Sequence, residues 1–173
     1  MKTLVRDDYG HDHLLIGCVH TLALPGAPLY DRAGGMRKII AQAREEAKIL
    51  EDAGFHALLY TNESDMPYPS TSPIEAVAAM TEIVSECQAH TKLPHGVNML
   101  IDPPASIAIA HATGGRFVRA FLTGSFAGDI GMMTPDGGRA LRLRAQLGAE
   151  NVQIICNVTP GFSINLDNRP VEQ

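Results

Sequence analysis

Short apolar runs of strand length alternate along this chain with longer segments whose apolar residues recur at helical spacing. Residues 14–20, LLIGCVH, form a continuous apolar run ending on a polar side chain, and the TLALPGAPLY that follows predicts an irregular loop. Residues 34–53 place Ile39, Ile40, Ala43, Ala47 and Leu50 on one helical face, with Gly54 as the C-cap. A second strand, 57–61, opens into the loop NESDMPYPSTS. Ser72, Pro73 and Glu75 then read as a capping-box start for a helix carried by Ile74, Val77, Ala78, Thr81 and Val84. The unit repeats with strand 96–101, Asp102 as N-cap and the helix PPASIAIAHA, and again with a strand from Phe117 that runs into a glycine-rich polar loop ending at Gly131. After Thr134 and Pro135, Leu141, Ala145 and Leu147 predict the inner face of a fourth helix, with Arg139, Arg142 and Arg144 solvated. Residues 152–158, VQIICNV, are the fifth strand.

Strands joined by connections too long for hairpins imply a parallel α/β sheet. Strand parity then separates an open sheet from a barrel-type one. In the fourth strand Val118, Ala120 and Leu122 are wholly apolar, while Phe117, Arg119, Phe121 and Thr123 mix in a guanidinium and a hydroxyl. Residues 96–101 and 152–157 alternate similarly, with Gly96, Asn98 and Asn157 on the mixed faces. A doubly wound sheet is covered by helices on both faces and is apolar on both, whereas a barrel strand has a helix-covered outside and a partly polar interior. The expected fold is therefore a (β/α)₈ TIM-barrel type cut to about five parallel strands. It forms one domain over 14–173 behind a polar arm, 1–13, to which no chemistry is assigned.

Composition narrows the partners. A chain of 173 residues with 45% hydrophobic and 19% charged side chains is ordinary for a globular domain. Its net charge of −5 without any Lys/Arg cluster disfavours nucleic acid. No signal-peptide pattern or bilayer-length apolar stretch occurs, so a cytoplasmic location is expected. Cys18, Cys87 and Cys156 are spaced singly and fit reduced core residues, and no metal set is expected.

The candidate chemistry follows from topology. In such folds ligands lie at the carboxyl ends of the strands, which brings His20, Asn62, Asn98, Thr123 and Asn157 to one rim. Arg119 is the anion-binding candidate, with Gly124 allowing close backbone approach to a ligand. His20, Asp65 and Asp129 are the acid/base candidates. Each has a plain structural counterpart: a hydrogen-bonded strand-end histidine or arginine, asparagines tying loops together, and Asp65 as a turn-former before Met66 and Pro67.

The stretches IGCVHTLALPGAPLY, NESDMPYPSTSPIEAVAAMTEI, LPHGVNMLI, FVRAFLTGSFAGDIG and GAENVQIICNVTPGF resemble the BtpA/SgcQ family, in order and from about His13 onward. The resemblance implies a barrel like those that bind ribulose phosphates, in a family linked to photosystem I biogenesis and to sugar operons, without a firmly attached reaction or cofactor. It supports His20, Asn62, Asp65, Asn98, Arg119, Thr123, Gly124, Asp129 and Asn157 as polar positions of the family. The chain departs from the pattern at Thr61, at residues 101–103 and at Ala120, where the family carries more polar or acidic groups. The implied function is binding or processing of a small polyhydroxylated or phosphorylated ligand. The alternative is a non-catalytic assembly factor or an inactive short homologue. Because the family barrel continues for three more βα units, the fragment is expected to self-associate through open edges.

Overall fold

The computed structural model describes residues 9–157 and 161–167. Five parallel strands, β1 (Ile16–His20), β2 (Ala57–Thr61), β3 (His95–Asn98), β4 (Phe117–Ala120) and β7 (Gln153–Cys156), make a sheet in the order β1-β2-β3-β4-β7. Each βα unit therefore adds its strand beside the previous one. The helices α1 (Gly35–Asp52), α2 (Ile74–Gln88), α3 (Pro103–Thr113) and α4 (Gly137–Gln146) connect them.

The two faces of the sheet differ as strand parity requires. Val19, Leu58, Tyr60, Val97 and Val118 share one large core with Ile39, Ala43, Ala47, Met80, Ile83, Ile107 and Ala140 of the helices. Ala57, Leu59 and Phe117 form a separate cluster with Ile16 and Cys18, and no residue of α1–α4 enters it. Tyr9 and Leu14 pack against this second face, with the Tyr9 ring edge-on to Phe117 at 6.4 Å. The arm is thus partly structural, contrary to its featureless sequence.

A hairpin stands where the sequence predicts a polar loop. Residues 117–123 leave the main sheet after Ala120, and β5 (Phe126–Gly128) pairs antiparallel with β6 (Gly131–Met133) around the turn at Asp129 and Ile130. With β8 (Ser163–Asn165) they make a three-stranded sheet, whose Phe126 and Met133 pack on Phe121 and Ile101. Three-residue strands built of Gly, Ala, Phe and Met carry too little periodicity to be recognised.

Several local expectations are corrected. The third strand ends at Asn98, and Ile101 turns with φ at +60°, a left-handed conformation rare for a β-branched residue. Ser72 does not cap α2; Pro73 holds that position, and the Ser72 N–H donates to Asp102 Oδ2 at 2.6 Å. The buried side of α2 is Ala76, Ala79, Met80, Ile83, Val84 and Cys87, leaving Ile74 84% exposed. In α4 Ala140, rather than Leu141 or Ala145, is buried, and Arg144 is tied to the carbonyls of Val152 and Glu150 instead of being solvated. Cys87 is buried as expected, Cys18 is half-buried and Cys156 is exposed. Asp102 caps α3 as the sequence indicates, accepting the Ala105 N–H at 3.2 Å. Val158 lies outside the described residues.

Candidate functional site

The helix-free face of the sheet is built in rows, because residues in register on neighbouring parallel strands point the same way. The lower row is Cys18, Leu59, Gly96 and Phe117, an apolar floor. Phe117 closes that floor by lying across Gly96: a Cβ there would stand 2.4 Å from two ring carbons. One pleat nearer the carboxyl ends, His20, Thr61 and Asn98 are register neighbours. The next step along from the Val97–Val118 pair brings Arg119 beside Asn98, and Arg119 is itself in register with Ile155. Asn157, two residues further on, accepts the Arg119 Nε–H at 2.9 Å.

This row holds a polar group with unused hydrogen-bonding capacity. Thr61 Oγ1 is buried without a partner among the described residues, although buried polar atoms are nearly always satisfied. Asn98, 6% exposed, stands next to Thr61 in register. Arg119 is exposed, and its Nε–H goes to Asn157. The His20 imidazole is exposed, while its backbone is fixed by α1: its N–H donates to Glu46 Oε2 at 3.1 Å and its carbonyl accepts from Gln42 Nε2 at 3.2 Å. Below the row, burial pushes the Cys18 thiol up, against a smaller lowering by the Arg119 charge, so the thiol is protonated and a poor nucleophile.

Asn62 and Asp65 serve a different purpose. Asn62 Oδ1 accepts the Leu100 N–H at 2.8 Å, its Nδ2 donates to Asp65 Oδ2 at 3.1 Å, and Asp65 Oδ1 accepts the Leu24 N–H at 2.7 Å. These two buried side chains brace the loops after β1, β2 and β3. Burial raises the Asp65 pKa, opposed by the bonds from Leu24 and Asn62. Thr123 is exposed beyond β4. Gly124, at φ +91°, is required by the Phe126 ring, 2.8 Å from where its Cβ would be. Asp129 is exposed at the β5–β6 turn.

The structure thus brings together His20, Asn98, Arg119 and Asn157, and sets Asn62 and Asp65 into the loop scaffold. Thr61 was legible only as a departure from a family pattern; the alternation of Ala57, Leu59 and Thr61 is the signal that places it on this face. As chemistry, the row offers a cation, an amide, a hydroxyl and one imidazole above an apolar base, a combination suited to a hydroxylated anion.

Comparison with known proteins agrees over nearly the whole chain. The model of the BtpA family matches residues 11–173. The putative sgc region protein SgcQ of Escherichia coli is 33% identical over 167 residues, 96% of this chain and 62% of that protein. An uncharacterized protein of Pyrococcus furiosus is 38% identical over 121 residues, 69% of this chain and 45% of its own length. The photosystem I biogenesis protein BtpA of Synechocystis is 34% identical over 147 residues, 83% of this chain and 50% of that protein. The chain spans about half the length of the curated relatives it matches.

Proposed function

The chain belongs to the BtpA family, and on that premise we propose that it binds a small polyhydroxylated or phosphorylated ligand across the row from His20 to Asn157. The observation that carries this reading is the buried, unpartnered Thr61 Oγ1, with Asn98 in register beside it and the exposed Arg119 one strand further on. A ligand hydroxyl between Thr61 and Asn98 would satisfy the Thr61 hydroxyl, and an anionic group would meet Arg119. If the ligand is turned over, His20 is the group placed to move a proton, with Asp129 arriving from the hairpin; Asp65 contributes by holding the loops. We read the five parallel strands and four helices as part of a (β/α)₈ barrel, supported by the sequential strand order and by the packing of α1–α4 on the same face.

Binding of a pentose phosphate and of the unphosphorylated pentose, measured by calorimetry, tests the site. Arg119→Ala should weaken the phosphate by roughly 10- to 100-fold, the value of a charge-assisted bond of about 1.5–3 kcal/mol, and leave the pentose nearly unchanged. Equal losses for both ligands remove the anion role.

A second reading, a non-catalytic assembly factor, has its own support. Met132, Ala127 and Ile164 form a register row on the outer face of the small sheet, with Met132 62% and Ile164 66% exposed. A similar protein is named for photosystem I biogenesis, and exposed apolar rows of this kind suit protein partners. Ile164→Lys should abolish partner capture but spare ligand binding. Among the described residues no helix is long and apolar enough to cross a membrane. On composition we place the chain in the cytoplasm. We further propose a homo-oligomer formed through the sheet edges β1 and β7, where Ile155 is exposed. A monodisperse monomer in light scattering would rule that out.

A further inference from the structure

The amino ends of the strands carry a second concavity, at the opposite end of the sheet from the polar row. Its volume is 630 Å³, and its walls are the connections that lead into β2, β3 and β4 together with the N-terminal arm. His11, His56, Lys92, His95 and Arg116 line it, and among the described residues on its walls there is no Asp or Glu. In a chain with 19 acidic and 14 basic side chains, the two cations Lys92 and Arg116 share one cleft whose described walls carry no carboxylate.

The geometry leaves these bases free to act outward. Arg116 lies over the Tyr9 ring, 5.7 Å from its centroid, held by an aromatic face instead of a carboxylate. The Lys92 backbone N–H donates to Glu51 Oε1 at 3.4 Å, but the ammonium has no ion pair among the described residues. The His11 and His56 rings stack at 3.8 Å, within 8° of parallel. His56 Nδ1 accepts the Leu15 N–H at 3.1 Å, so this ring presents Nε2–H as a donor. His95 remains neutral at physiological pH, because burial pushes it down to about 4, and it bonds Thr113 Oγ1 at 3.0 Å. Among the described residues off its walls, Asp12 follows His11 and Glu51 of α1 reaches the Lys92 backbone.

We propose that this cleft binds a tetrahedral oxyanion, such as the phosphate group of a small metabolite, through Lys92 and Arg116 of its wall. Like charges gathered in a concavity repel one another, and an anion converts that repulsion into attraction. Nothing in the reading of the carboxyl-end row requires this site.

The test uses inorganic sulfate, whose charge is constant between pH 6 and pH 8, titrated at fixed ionic strength against chloride. Imidazole and guanidinium side-chain resonances are followed by NMR. Saturable shifts of Arg116 and His11 are expected. Lys92→Gln with Arg116→Gln should abolish the shifts of His11. Arg119→Ala, at the other end of the strands, should change nothing. Shifts that chloride reproduces, undiminished binding by the double variant, or loss of binding in Arg119→Ala would each overturn the proposal.

Discussion

Replacing Gly96 by alanine probes the floor of the candidate site directly. The added Cβ would sit 2.4 Å from Phe117 Cδ2 and Cε2 and 2.7 Å from the Phe117 carbonyl oxygen. Carbon atoms in contact prefer about 3.5–4.0 Å, so the ring must move by more than about 1 Å. Phe117 is fully buried among Ala57, Leu59, Ile16, Cys18 and Tyr9, which leaves it little room. Rotating the ring does not relieve the carbonyl contact, and shifting the carbonyl strains the β3–β4 pairing at Gly96 and Phe117. Overpacking of this kind costs about 1–3 kcal/mol, while full ejection of a phenylalanine costs about 3–5, so Gly96→Ala should cost about 2–4 kcal/mol. Urea unfolding followed by circular dichroism reads this as a lower midpoint at an unchanged slope. In a Phe117→Ala background only the carbonyl contact remains, so the same substitution should cost at least about 1 kcal/mol less. A cost under about 0.5 kcal/mol, or the same cost in both backgrounds, would refute the placement of Phe117 across Gly96.

Asp65→Ala removes the acceptor of the fully buried Leu24 N–H and of Asn62 Nδ2, and should cost about 2–4 kcal/mol in the same unfolding assay, with Asp65→Asn losing less because a carbonyl remains. His95 should make stability depend on pH. The unfolded chain binds its proton near 6.5, whereas the folded ring holds out to about 4, so stability from neutral His95 is complete above pH 6.5 and falls by about 3 kcal/mol as pH drops through that window. His95→Gln should flatten the profile there, and an unaltered slope would mean that another group titrates. Asp65 works in the opposite sense, since its raised pKa makes the carboxylate a cost that acid relieves. Thr61→Val, which removes the unpartnered Oγ1, should leave stability unchanged or raised, while weakening any ligand that binds there through a hydroxyl.

What the sequence determined is the part governed by short periods. Apolar runs and helical spacing locate the five parallel strands and four helices, and alternation alone separates the helix-covered side chains Val97 and Val118 from Asn98 and Arg119 on the other face. A residue two positions along a strand returns to the same face whatever the rest of the chain does, so His20, Asn98, Arg119 and Asn157 could be assigned together. Contacts between distant segments were decided only by the tertiary structure. Asn62 and Asp65 look like rim residues in sequence, yet they bond Leu100 and Leu24, 38 and 41 positions away, because three loops converge where their backbone N–H groups need acceptors. The glycine-rich loop forms a hairpin whose β5 pairs on its other side with β8, about 35 positions further along the chain, a contact between distant segments. Tyr9 gained its place from the bare ring of Phe117, and the arm around it carries no apolar period to announce that. Thr61 shows both halves of the matter. Its face followed from alternation, but its buried, unpartnered hydroxyl arises from what the neighbouring strands place around it.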